Sequence, residues 1–331
     1  ARYDAQVKQN DETTDVGLLQ ADAVICEGRA RELIVATGAD RVRFLHSIVT
    51  GNVAGTPVGG GCRSALLTTK GHVVADLMIF TRAADIWIVV DAGQGDATAT
   101  ALSRYAIMDD FAAARRPGFA QLAVLGPSAG ARLEAAGIAA LPGPALFAHA
   151  DAGALWIVRV RELGAEGFWI CGDAEAVAKV RVALAGTPTL TAPAAEAARI
   201  AALEGRWGAE ITADYFPMEV GLTEAIDYSK GCYLGQEPIV RLRDRGHINW
   251  RLVSLDVAGD VDPAPGDALE SDAKPKAGKI TSVGRLPDRR GVALAMLHVS
   301  LAVGADVRIK HGEATLAARV RQSVPDGKSP G

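Results

Sequence analysis

A short apolar strand, a glycine-led turn and a helix occur twice in this chain in the same order, and that duplication limits the fold more than any other feature. Leu33-Ile34-Val35 reads as a buried strand and Gly38-Ala39-Asp40 as the turn, with Val42, Leu45 and Ile48 at helical spacing behind it. Leu122-Ala123-Val124-Leu125, Gly126-Pro127-Ser128 and the helical run 129–136 repeat the order. Each copy then continues into strands and another helix. Strand-like runs at 64–69, 73–80 and 86–90 precede a helix near 97–107; runs at 155–160 and 168–171 precede a helix at 175–184. Two such halves predict an α+β architecture rather than an alternating α/β sheet.

From Trp250 onward the character changes to short strands broken by Gly and Pro, at 252–257, 277–282, 292–297, 307–309 and 314–320, the pattern of a β-barrel or sandwich. The expected organisation is one domain over 17–247, with halves of roughly 17–115 and 116–247, then a small β-barrel over 248–325. Residues 1–16 and 326–331 are expected to be flexible tails. With 331 residues, 49% hydrophobic and 22% charged, the chain is long enough for two or three units each burying its own core. A net charge of −4 with both signs interspersed offers no field for a phosphate backbone, so no direct nucleic-acid partner is expected. No apolar run approaches the ~20 residues of a membrane helix, and residues 1–15 are polar without a signal-peptide core, so a cytoplasmic protein with no membrane partner is expected. Cys26, Cys62, Cys171 and Cys232 are scattered and form no Cys-x-x-Cys pair, so no metal site is expected.

Reactive and conformationally special residues concentrate in Lys230-Gly231-Cys232-Tyr233-Leu234-Gly235-Gln236-Glu237. Two glycines bracket a thiol, which suggests a tight loop. Lys230, two positions from Cys232, would lower a thiol pKa; the alternative is a small buried hydrophobe with an inert sulfur. Lys70-Gly71 reads as a hairpin turn, and beyond it Val74, Asp76, Met78 and Phe80 share one strand face. Asp76 is then a single carboxylate on an apolar face: it either faces a pocket and binds a polar heterocycle, or is exposed near the hairpin. Trp207, Tyr215, Phe216 and Tyr233 offer flat walls for a ring or plain core. Arg241, Arg243 and Arg245 alternate, so on a strand they would line one face as an anion site or guard a solvated edge.

The stretch 230–237 followed by Arg241 resembles the signature of the YgfZ group of folate-binding proteins, which are similar to the aminomethyltransferase of the glycine cleavage system. Arg199-Ile200, Gly208-Ala209-Glu210 and 217–222 resemble the family at matching spacing, and Ala277-Gly278-Lys279-Ile280-Thr281-Ser282 resembles a strand of its small C-terminal barrel. Gly71, Asp76 and Leu77 match the aminomethyltransferase strand that carries the folate-contacting acid. Other positions depart: Ala165 and Trp169 stand where that pattern has glutamates, and Ala201 replaces the acid of its Arg-[Ile/Leu]-Glu run. Cys232 belongs to the YgfZ pattern alone.

The resemblance implies a folate-binding, aminomethyltransferase-like domain of two pseudo-repeated α+β halves with a C-terminal β-barrel, and tetrahydrofolate or a derivative as cofactor. It implies Asp76 and Cys232 as the reactive residues, and Asp76, Met78, Phe80, Glu219, Lys230, Tyr233, Gln236, Glu237 and Arg241 as cofactor-binding. The activity it implies is that of an accessory protein in iron–sulfur cluster assembly or repair, with iron–sulfur clients as partners and tRNA modification supported indirectly. A tetrahydrofolate-dependent aminomethyl or methyl transferase and a folate-free scaffold are the alternatives.

Overall fold

The duplicated order of elements becomes two matching five-stranded antiparallel sheets in the computed structural model, which describes residues 16–27 and 29–325. The chain runs through β1 (Val24–Cys26), β2 (Arg31–Thr37), α1 (Arg41–Ile48), β3 (Gly61–Leu67), β4 (Val73–Thr81), β5 (Ile86–Asp91), α2 (Gly95–Ser103) and β6 (Ala112–Arg116). The second copy comprises β7 (Phe119–Leu125), α3 (Ala129–Ala135), β8 (His149–Ala152), β9 (Leu155–Glu162), β10 (Ala165–Asp173) and α4 (Ala174–Ala183). The sheet orders are β3-β4-β5-β2-β6 and β8-β9-β10-β7-β1, the same permutation twice.

That permutation hides an exchange. β1 precedes the first copy but pairs with β7 of the second, Val24 opposite Leu125, while β6 takes the equivalent edge beside β2. Matching glycines seat both edges. Gly38 (φ +104°) and Gly126 (φ +111°) turn the chain after β2 and β7, and a Cβ there would stand 2.0 Å from the Asp110 carbonyl oxygen and 2.2 Å from that of Asp22. Only glycine allows both the positive φ and that approach.

Side-chain alternation sorts the strands into layers. On β4, Ala75, Leu77 and Ile79 pack outward against Phe44, Leu45 and Ile48 of α1, whereas Met78 and Phe80 point inward with Leu33 and Val89. The inward face of the second sheet answers with Trp156, Val158, Val160 and Trp169. Its outer face carries α3 and α4. Asp173 caps α4, its carboxylate accepting from the Ala176 N–H at 2.7 Å.

Past α5 (Ala192–Ala201) the chain makes short turns and enters α6 (Gln236–Arg245), then a closed barrel of β11 (Trp250–Val257), β12 (Ala268–Glu270), β13 (Gly278–Arg285), β14 (Gly291–His298), β15 (Asp306–His311) and β16 (Ala314–Ser323). The α+β class and the barrel are as expected. The strand reading of 241–245 is not: this segment is helical, and residues two apart on a helix lie on diverging sides, so the arginines form no row. The i,i+4 pair of Glu237 with Arg241 at 2.8 Å fits that helix. The expected tails lie outside the described residues except Val16, which packs against the inter-sheet core. Among the described residues no helix is long and apolar enough to cross a membrane, and no group of acids, histidines and cysteines is placed to hold a metal ion.

Candidate functional site

The inward faces of the two sheets are apolar except for a band of buried charge, and Asp76 is part of it. It lies 8% exposed on β4, opposite Ala65 of β3 and diagonal to Arg63, two residues along that strand. The Arg63 fork grips both carboxylate oxygens, Nε donating at 3.0 Å and Nη2 at 2.7 Å. Burial would raise the Asp76 carboxyl; the guanidinium of Arg63, aided by Arg29 and Arg31, more than reverses that and holds it below its ordinary 3.8.

A second pair crosses between the sheets. Arg31 of β2 donates to Glu162 of β9 at 2.7 Å and lies over the Trp169 ring at 4.3 Å, while the Trp169 indole N–H donates to the same Glu162 at 2.7 Å. Burial would raise Glu162 as well, and Arg31 and the Trp169 hydrogen bond bring it below 4.5. The Arg31 Nε–H is buried without an acceptor among the described residues, an orphaned donor in this band. Beside it Arg29 pairs with Asp91 and donates to the Gly205 carbonyl at 3.1 Å. Burial and the nearby Glu162 push Glu204 above its ordinary value. Arg29, Glu162, Leu163, Glu196, Arg199 and Glu204 help line a cavity of about 300 Å³ at this end of the sandwich.

These shifts have signs that a pH titration reads. Asp76 and Glu162 titrate lower folded than unfolded, so their stabilisation is present above the ordinary values and lost as pH falls through the folded ones. Glu204 titrates higher folded, so its ionised form costs stability and protonating it relieves that cost first. Denaturation curves should therefore show stability held or slightly raised on mild acidification, then a steep loss below about pH 4. A chain equally stable at pH 2 and pH 7 would contradict both pairs.

Of the residues expected to bind a cofactor, the structure brings Asp76 and Met78 into this band; the Met78 sulfur lies 3.8 Å from Arg31 Nη1. Phe80 is fully buried and packs edge-on to Trp156 at 4.8 Å as core. Glu219 is buried and accepts from the N–H groups of Phe216 (3.0 Å), Trp250 (3.2 Å) and Asn249 (3.3 Å), fastening a short 3-10 turn to the start of the barrel. Lys230 gives its ammonium to the carbonyls of His46, Val49 (2.7 Å) and Gly51 (2.8 Å), which closes the C-terminal end of α1. Burial lowers Lys230 to about 8, so it is charged at neutral pH, and its charged or polarisable neighbours are Cys62 and Asp227. Tyr233 is buried with its hydroxyl unpartnered among the described residues, and burial pushes it up. Gln236 and Glu237 begin α6, and Arg241 stands exposed on it. Lys230 ties the stretch to α1, and Tyr233 and Ile239 pack into the apolar cluster shared with the barrel; none of its described hydrogen bonds reaches Asp76.

Cys232 is exposed, Cys26 and Cys171 are buried, and Cys62 is half-buried. Burial pushes the Cys62 and Cys171 thiols up. The aromatic residues offered as ring walls, Tyr215, Tyr233, Phe216 and Trp207, join the apolar cluster between hairpin and barrel. What sequence reasoning missed is Arg31, Arg63, Glu162 and Glu204. Glu162 carried the same signal as Asp76: it ends a β9 face shared with Trp156, Val158 and Val160.

The GCVT N-terminal domain family model matches residues 8–230. The chain is 27% identical to the tRNA-modifying protein YgfZ of Yersinia enterocolitica over 84% of this chain and 85% of that protein. It is 24% identical to an aminomethyltransferase of Bacillus velezensis over 87% and 82%. Among solved structures, the glycine cleavage system aminomethyltransferase T of Bartonella henselae superposes with a TM-score of 0.83 at 23% identity, covering 93% of this chain and 88% of that one.

Proposed function

The chain belongs to the GCVT N-terminal domain family, and from that premise we propose that it binds a tetrahydrofolate derivative and serves as an accessory protein in iron–sulfur cluster assembly or repair, supporting tRNA modification through its clients. The observation that carries the folate reading is the buried, ionised carboxylate of Asp76 at the position matching the family's folate-contacting acid. The surrounding groups suit such a ligand. Asp76 can accept from an amine-bearing ring edge, and the orphaned Arg31 Nε–H from the other side awaits an acceptor. Next to this band a cavity of about 300 Å³, at the small end of the usual range for ligand sites, is lined by Arg29, Glu162 and Glu204 rather than by Asp76 or Arg31. When bound, the folate would carry one-carbon units; the chain's own residues orient it and keep water out.

An accessory role, rather than aminomethyl transfer, is supported by the two departures from the transferase pattern. Ala165 offers no polar group, and Trp169 is buried with its N–H committed to Glu162. The exposed Cys232 then supplies the reactive thiol on the loop that Lys230 anchors. Calorimetric titration of the full chain with tetrahydrofolate should give saturable heat, and Asp76→Asn should weaken binding by about 1–3 kcal/mol. No saturable heat removes folate from the function. In cells lacking a YgfZ protein, the chain should restore iron–sulfur-dependent tRNA thiolation while Cys232→Ser does not. Full restoration by that variant makes the thiol structural.

A further inference from the structure

Both lone-pair edges that Asp76 presents side by side are already taken. The Arg63 Nε and Nη2 donate in parallel to Oδ1 and Oδ2 at 3.0 and 2.7 Å. A pterin ring offers an acid the same pattern, because its N3–H and 2-amino group are part of a cyclic guanidine with two parallel N–H donors. Guanidinium and pterin therefore compete for one carboxylate edge. We infer that Arg63 is a built-in stand-in for the ligand: it occupies the recognition edge of Asp76 and must swing away before a guanidine-edged heterocycle binds.

The two arginine–carboxylate pairs of the band differ in the way this requires. Arg31 and Glu162 are 4% and 9% exposed and further fixed by Trp169, so neither can leave without stranding a buried charge. Arg63 is 34% exposed whereas Asp76 is 7% exposed. The Arg63 side chain comes from β3, an edge strand of the first sheet, and reaches solvent over part of its length although burial acts on its guanidinium. Water can receive it. Asp76 is not abandoned when it goes, because Arg29 and Arg31 still act on its carboxylate. Arg63 donates only to Asp76 among the described hydrogen bonds, and what else it leaves is the attraction of Glu204 and Asp91. The ligand then binds against an internal competitor, and its apparent affinity is the intrinsic affinity multiplied by the fraction of molecules in which Arg63 is undocked.

This rests on Asp76 being the ligand's acid, and the test separates the two. Arg63→Ala and Arg63→Lys are titrated with tetrahydrofolate beside the wild-type chain. Removing the competitor should tighten binding roughly tenfold in Arg63→Ala, with Arg63→Lys, which keeps a cation but loses the fork, in between. Wild-type binding with unchanged or weaker affinity in both variants overturns the stand-in and leaves the folate reading intact. No binding by any of the three overturns both. A readout needing no variant is the Arg63 Nε–H exchange rate in the wild-type chain: it should rise on saturation with tetrahydrofolate, and an Nε–H as protected in the complex as before would overturn the proposal.

Discussion

Replacing Glu210 by alanine is expected to destabilise the fold by about 3–5 kcal/mol, the usual cost of removing one partner from a buried ion pair. Glu210 has no solvent exposure. It accepts from Arg199 Nη1 at 3.1 Å, from the Ser282 hydroxyl at 2.6 Å and from the Arg206 N–H at 3.1 Å. Arg199, 5% exposed, also donates to Ser282 at 2.7 Å and to Glu196 at 2.8 and 2.9 Å. Glu196 remains in the variant, which places the loss at the lower end of the range. Since Ser282 belongs to β13 and Arg199 to α5, the same change loosens the barrel from the sandwich. Glu210→Gln keeps one acceptor oxygen, for either Ser282 on Oε1 or Arg206 on Oε2, and drops the charge, so it should cost less than Glu210→Ala but more than a simple loss of charge. Urea titration of both variants reads this as a falling midpoint. A loss below about 1 kcal/mol in Glu210→Ala would mean that Glu196, Ser282 and the Glu204 carbonyl satisfy the guanidinium without it.

The repeated strand–turn–helix order was legible because its signals are local: apolar runs, Gly38 and Gly126, and helical spacing behind each. The exchange of β1 was not, since three residues, Val24-Ile25-Cys26, carry no mark of which sheet they join; only the pairing with β7 does. Asp76 could be assigned a face from alternation along β4. Its partner could not, because Arg63 reaches it through the register of the neighbouring strand, where Arg63 opposes Met78. Arg241, Arg243 and Arg245 misled for the opposite reason. Their alternation mimics a strand, whereas Gly235 in the left-handed region and the Glu237–Arg241 spacing begin a helix. Lys230 was tied in sequence to Cys232, but its ammonium finds the carbonyls closing α1, whose sequence separation no local pattern reports.

The two glycines bracketing Cys232 look equivalent in sequence, yet opposite outcomes are expected when each becomes alanine. Gly235 has φ +78°, and a Cβ there would meet the Thr68 carbonyl oxygen at 2.4 Å, the Leu67 Cβ at 3.1 Å and the Gly71 Cα at 3.4 Å. The hairpin that opens β4 is thus pressed against this loop. Left-handed backbone costs a non-glycine residue about 1–2 kcal/mol, and forcing atoms into packed backbone about 1–3 more, so Gly235→Ala should lose about 2–4 kcal/mol. The clash is with backbone and cannot be relieved by a side-chain rotation; either the loop or the hairpin must move. A Cβ at Gly231 would meet no heavy atom within 4 Å, and its φ is not positive, so Gly231→Ala should be within about 0.5 kcal/mol of wild type. Urea midpoints measure both. Alkylation of Cys232 adds a local readout: if Gly235 seats the loop, its loss should change the labelling rate of Cys232 while Gly231→Ala leaves it unchanged. Equal tolerance of the two substitutions would show that the hairpin does not hold the loop, and the contact between the thiol-bearing segment and the strand of Asp76 would lose its structural basis.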